Sequence, residues 1–328
     1  MKNIGRFAIG LVLACSAAAV VAETLPTVTF ENFLPGSPHL QWRWKSSGSF
    51  GPSCAPGGQS YDHKIDSNVT GFESFGLKSL RLSNAVTSNC LHDQTFSAPV
   101  VQEAGETMAY DARPSGGRQP FFVFEFDVAS TLPYTHQEGL NVALSADNDE
   151  GARMSWVETA DAADGLLVTF VDYQGNQFVY TRVASGLDRS EIHHVRVEHS
   201  FYEGPHNDVV IVNVDDGDFV HRGTSWEDYY RSDPSQQTPV AGQSRVVRSI
   251  LFHTKTTRGT APKWLGFGFE FDNVEQGSGP ILVGPPSDKN ECKKGGWRSF
   301  NNPEFRNQGQ CVSNVEAHEH HRGHGQGG

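Results

Sequence analysis

The sequence predicts an all-β protein, with antiparallel strands packed as two sheets in a sandwich or jelly roll. Three observations lead there. From Phe121 onward, short runs rich in β-branched and aromatic residues follow one another, many with period-two alternation. Gly, Asp, Asn or Pro separates each run from the next. No stretch beyond the N-terminal leader shows a sustained helical period flanked by capping residues.

The elements follow in order. Phe122, Phe124 and Phe126 alternate with Val123, Glu125 and Asp127, as in a strand with one buried face. Runs at 141–145, 153–157, 166–171 and 177–181 continue the series, and 194–199, 209–214, 219–221, 248–253 and 266–272 complete it. Asp215-Asp216-Gly217 between two runs supplies residues that tolerate positive φ, which predicts a hairpin. About twelve strands without an internal repeat are best housed in two packed sheets.

Lys2 and Arg6 precede an apolar run, Phe7 to Val21, that ends at Ala22, the pattern of a cleavable export signal. Val12-Leu13-Ala14-Cys15 loosely follows a lipoprotein cleavage site, but leucine just before the small residue argues against a lipid anchor at Cys15. No segment is long and apolar enough for a membrane helix. The expectation is a secreted or periplasmic protein. Removing residues 1–22 takes away two positive charges and no acid, so the net charge of -12 becomes -14. With no Lys/Arg cluster to release phosphate counterions, this balance argues against nucleic acid.

Four cysteines remain beyond the leader, Cys54, Cys90, Cys292 and Cys311. An even number in an oxidising compartment predicts disulfides, with Cys54–Cys90 and Cys292–Cys311 the natural pairs and the two longer pairings left open. A zinc site of all four lacks any Cys-x-x-Cys knuckle. The expected organisation is a signal peptide at 1–22, a sandwich domain at 23–277 and a Gly/Pro-rich linker at 278–290. A cassette at 291–313 and a His/Gly-rich tail at 314–328 follow.

The stretch from His193 to Asp218, followed by Gly223-Thr-Ser-Trp-Glu-Asp-Tyr-Tyr230 and closing at Gly268-Phe-Glu-Phe-Asp-Asn-Val274, resembles secreted bacterial proteins of the concanavalin A-like, laminin G-like jelly-roll class. The resemblance covers about residues 25–277 and implies a fold that often binds glycans and sometimes cleaves them. Cys292-Lys-Lys-Gly-Gly-Trp297-Arg-Ser-Phe300 with Phe305 to Cys311 is similar to a small cassette that ends many exported microbial proteins.

Three constellations carry chemistry. Glu270-Phe-Asp272-Asn-Val-Glu275 matches the Glu-x-Asp-x-x-Glu strand motif of laminarinase-like glycoside hydrolases, whose first Glu is nucleophile and last is acid/base. Retention needs carboxyls on one face, whereas period two sends Glu275 to the face opposite Glu270 and Asp272. A one-residue bulge near Asn273 restores it and turns Val274 towards the phenylalanines. A similar ending also closes non-catalytic laminin G-like modules, so the motif is equally a terminal strand. Trp226, Asp228, Tyr229 and Tyr230 follow a Gly-Thr-Ser turn, are expected in a loop, and combine stacking rings with an acid that accepts sugar hydroxyls. Their bland alternative is a plug at the end of the sandwich. Asp147, Asp149 and Glu150 give a loop with the composition of a calcium site, and equally of a polar turn; no motif requires a cofactor, and Ca²⁺ is the ion this loop admits.

His193, His194, His199, His206, His221 and His253 fall in or beside strands, and their spacing selects no metal or base set. His318, His320, His321 and His324 make the tail an opportunistic metal binder. The expected partner is an extracellular glycan or cell-surface ligand, held in a lectin-like manner. The alternatives are a secreted polysaccharide-degrading enzyme, a hydrolase before a lyase, and a structural envelope or matrix protein.

Overall fold

The computed structural model describes residues 23–47, 61–68, 70–86, 93–106, 118–232, 245–254, 264–281, 283–301 and 303–323. Cys54, Cys90, the leader and His324 lie outside the described residues.

Two antiparallel sheets pack face to face. The first, of eight strands, contains β3 (Asp62–Ser67), β4 (Lys78–Ser83), β7 (Phe121–Ser130), β12 (His193–Ser200), β13 (Val209–Val214), β14 (Phe219–Gly223) and β17 (Phe269–Gly279), in the order β14-β13-β12-β7-β17-β4-β3. The two-residue strand β1 (Glu23–Thr24) adds to β17. The second, of seven strands, contains β2 (Lys45–Ser47), β5 (Gln94–Phe96), β8 (Asn141–Asp147), β9 (Trp156–Ala162), β10 (Gly165–Gln174), β11 (Gln177–Leu187) and β16 (Ser249–Thr254), in the order β11-β10-β9-β8-β16-β5-β2. A small ladder joins β6 (Ala104–Gly105) to β15 (Val246–Val247). The fold is an antiparallel β-sandwich of jelly-roll type.

Period two explains the layering. Phe122, Phe124 and Phe126 of β7 and Phe269 and Phe271 of β17 point inward against Val142, Leu144 and Phe252 of the second sheet, all in one buried core. Each buried phenylalanine is worth about 1.5–3 kcal/mol of transfer from water. The β13–β14 hairpin turns through Asp215–Gly217, where Asp216 (φ 53°) and Gly217 (φ 99°) take the left-handed region as the sequence requires.

Helices appear at two places. Residues 227–232, expected as loop, form α1 (Glu227–Ser232), whose buried Glu227 pairs with Arg245 at 3.0 Å and whose Arg231 pairs with Glu227 and Glu106. Beyond the sandwich, α2 (Gln308–Gly323) runs across the 313/314 boundary into the tail. Cys292 and Cys311 form the disulfide, with Cα atoms 5.7 Å apart, and enclose Phe300, Phe305 and Val315 in a separate small core. Strand β17 continues to Gly279, so the connection to this cassette begins later than the composition suggests. Among the described residues, no helix is long and apolar enough to cross a membrane.

Candidate functional site

The anticipated bulge is present. Asp272 opposes Asp127 and Glu275 opposes Glu125, so Asn273 and Val274 together face one residue of β7. Asn273 takes φ 49°, its side-chain amide donates to Asp127 at 2.8 Å, and the backbone of Val274 exchanges hydrogen bonds with Val28. Glu270, Asp272 and Glu275 consequently share the outer face of the eight-stranded sheet, and Val274 joins the core.

That face is closed over two of the three. Glu270 and Asp272 are both 0% exposed. The Thr70 hydroxyl donates to Glu270 at 2.8 Å, and Glu31 accepts the backbone N–H groups of Leu77 and Lys78, tying the segment Thr70–Leu77 to the sheet. Burial, reinforced by Glu31, Asp127 and Glu270, pushes the Asp272 carboxyl up to about 8. Arg81 lies beside them and is neutralised by a bidentate pair with Asp62 at 2.9 and 3.0 Å. Only Glu275 reaches open space. It accepts from Thr27 and lines a groove of about 320 Å³ with Glu125, Arg196 and Asn301. Glu125 is engaged by Arg196, and His194 bonds Asp127 at 2.8 Å, which raises the imidazole pKa.

The outer face of the seven-stranded sheet is different in kind. Register places Trp156 of β9, Val171 of β10 and Tyr180 of β11 in one row, and Tyr173 and Phe178 in the next. Helix α1 lies on this face. Trp226, just before it, stacks on Trp156 with ring centroids 5.9 Å apart and planes 5° apart, and its indole donates to the Val171 carbonyl at 2.7 Å. Tyr229 meets Phe178 at 5.2 Å and Tyr173 at 5.4 Å. Of the four residues singled out by sequence, Trp226 and Tyr230 are each 8% exposed and form the base of the cluster. Tyr229 is part-exposed, while Asp228 turns aside to His206 at 2.6 Å. The exposed rings are ones the sequence did not single out, Phe178 at 38% and Tyr180 at 63%. Their signal, aromatic alternation in Gln177-Phe-Val-Tyr-Thr, was visible as a strand, but not which side faces water.

The acidic turn after β8 is internally bonded. Asp147 accepts the backbone N–H groups of Glu150 and Gly151, Asn148 accepts those of Glu150 and Ala152, and Asp149 (φ 69°) pairs with Lys45. Burial pushes the Asp147 carboxyl up to about 7. Among the described residues, no group of three or more His, Cys, Asp or Glu is arranged to hold a metal. The histidines scatter: His193 bonds Asp215 at 2.9 Å, His199 bonds Ser155 at 2.7 Å in the core, His221 packs on Phe170 and His253 on Trp156.

No protein-family model matches the sequence, and no curated protein matches it. Several solved structures align with it at low similarity. A non-specific endo-β-1,3(4)-glucanase of family GH16 is 9% identical, with a TM-score of 0.43 over 79% of this chain and 92% of the glucanase. An alginate lyase from Pseudomonas aeruginosa is 9% identical, with a TM-score of 0.39 over 67% of this chain and 87% of the lyase. Arcelin-5, a lectin-like defence protein from Phaseolus vulgaris, is 10% identical, with a TM-score of 0.37 over 80% of this chain and 99% of the lectin.

Proposed function

We propose that this chain is an exported carbohydrate-binding protein whose ligand lies on the outer face of the seven-stranded sheet. One observation carries the reading: a continuous aromatic patch on that face, in which Trp156 and Trp226 stack and Phe178, Tyr180 and Tyr229 extend the surface towards solvent. Such rings pack on the apolar C–H faces of sugars while flanking polar groups meet the hydroxyls. Tyr180, 63% exposed, and the outer edge of Phe178 are the part of this surface left for a ligand to cover. Retention of residues 23–328 on insoluble polysaccharides is the test. Tyr180→Ala lowers retention about tenfold, the value of one lost ring contact of about 1–1.5 kcal/mol, with the melting temperature held. Failure of the unaltered protein to bind any polysaccharide removes the reading.

A glycan-cleaving reading is favoured by the bulge that brings Glu270, Asp272 and Glu275 to one face. It is second because the would-be nucleophile Glu270 is bonded to Thr70 beneath a closed segment. Release of reducing ends that disappears in Glu275→Gln would reverse this order.

A further inference from the structure

The charges around the aromatic patch are unequally engaged. Three of its acids have partners, Glu150 of the same turn being exposed: Glu158 accepts from the Trp156 indole at 2.9 Å and from Asn141, Asp149 pairs with Lys45, and Asp147 accepts backbone N–H groups. Its arginines do not. Arg153 places its guanidinium carbon 5.1 Å from the centre of the Trp156 ring. It is only part-exposed, makes no ion pair with any carboxylate among the described residues, and its Nε lacks a hydrogen-bond partner. Asp147 attracts it without forming an ion pair, and the phenols of Tyr229 and Tyr230 lie close enough to act on it electrostatically. Arg182 occupies the row next to Tyr180 on β11, opposite Thr169, and is exposed.

A part-enclosed guanidinium without a counter-ion is expensive to keep, and its rigid fork of donors suits a planar or tetrahedral anion. Exposed arginines without an acid partner occur elsewhere, as Arg222 on β14, but Arg153 is the one set over a ring of the aromatic patch. The backbone around Arg153 is held on both sides: Asn148 donates to the Ala152 carbonyl at 3.2 Å, Met154 to Ala146 at 2.8 Å, and Trp226 to Met154 at 2.7 Å. The guanidinium is thus presented by a fixed turn, over an indole that is itself held by Glu158.

We infer that the ligand of this face is an anionic glycan, with Arg153 receiving an acidic substituent of a sugar whose ring stacks on the neighbouring aromatics and Arg182 meeting a second along the chain. The inference rests on the carbohydrate-binding reading and deepens it. Carboxylate and sulfate share the recognised chemistry, so the test separates them: affinity electrophoresis of the full mature chain in polygalacturonate, dextran sulfate and neutral laminarin. Retardation by one or both anionic polymers and not by laminarin is expected, polygalacturonate alone marking a uronate and dextran sulfate alone a sulfated sugar. Arg153→Gln weakens that retardation at least tenfold. Arg222→Gln, which removes the same charge from β14 of the other sheet, leaves it within twofold. Where Arg153→Gln lowers the melting temperature, the exposed Arg182→Gln supplies the same comparison. Equal losses in the Arg153 or Arg182 variant and in the Arg222 variant overturn the inference, as does preference for laminarin, which leaves carbohydrate binding standing. Binding to none of the three polymers overturns both.

Discussion

Asp272 and Asp147 are the residues whose chemistry departs furthest from that of exposed carboxyls, at about 8 and about 7 respectively. In both, burial favours the neutral acid, so near pH 7 the folded chain holds protons that the unfolded chain, titrating near the ordinary 3.8, has released. Stability therefore falls as pH rises towards each folded value, by about 1.4 kcal/mol per unit for each fully protonated group. His63 and His199 act in the opposite sense: burial lowers both to about 3, so their contribution is lost only as pH falls below the usual 6.5. Between pH 7 and 8 the Asp272 term dominates. Asp272→Asn should flatten the fall of unfolding free energy over that range, measured by urea denaturation at several pH values. Parallel curves for the two proteins would show that this carboxyl is ionised in the fold. At this scale the sequence was least informative. Asp272 was recognisable as part of a motif, but its burial depends on Thr70–Leu77 and Glu31, which lie some 200 residues away in the chain.

At the scale of elements, the bulge in β17 decides what the acidic motif can do. It follows from three requirements met together: two phenylalanines and Val274 must face the core, Asn273 can adopt positive φ, and Val28 is in place to satisfy the freed backbone groups. Asn273→Val, which forces a β-branched residue into φ 49°, should cost about 1–2 kcal/mol in chemical denaturation, and Asn273→Gly clearly less. Equal costs would mean that the side-chain bond to Asp127, not the backbone, holds the bulge. This device was legible because alternation breaks visibly between Asp272 and Glu275. Helix α1 was not. Six residues carry too short a period to register, and the helix is held by the Glu106, Arg231 and Arg245 pairs across the chain. Nor was α2, whose polar His-rich run reads as a tail yet packs Cys311 and Val315 into the cassette.

The whole molecule divides its chemistry between two sheet faces. Charged pairs, the buried Glu270 and Asp272 and a groove occupy the outer face of the eight-stranded sheet; an aromatic cluster with Arg153 over one of its rings occupies that of the seven-stranded sheet. Alternation in β7, β12 and β13 made the sandwich legible, because each strand has one apolar side. It could not assign the outward sides to a sheet, since that depends on strand order, and β7 lies between β12 and β17 through contacts more than 60 residues apart. For the same reason the sequence did not separate Trp226 and Tyr230, which are buried, from Tyr229, which is part-exposed, nor pick out the exposed Phe178 and Tyr180 of β11.

The most direct test is a hydrogen-exchange footprint of the mature chain with and without a polysaccharide that retains it. Protection confined to residues 153–182 and 226–232 is the predicted result. Protection instead along 121–127 and 272–279, around Glu125 and Glu275, would contradict the assignment and move the site to the opposite sheet.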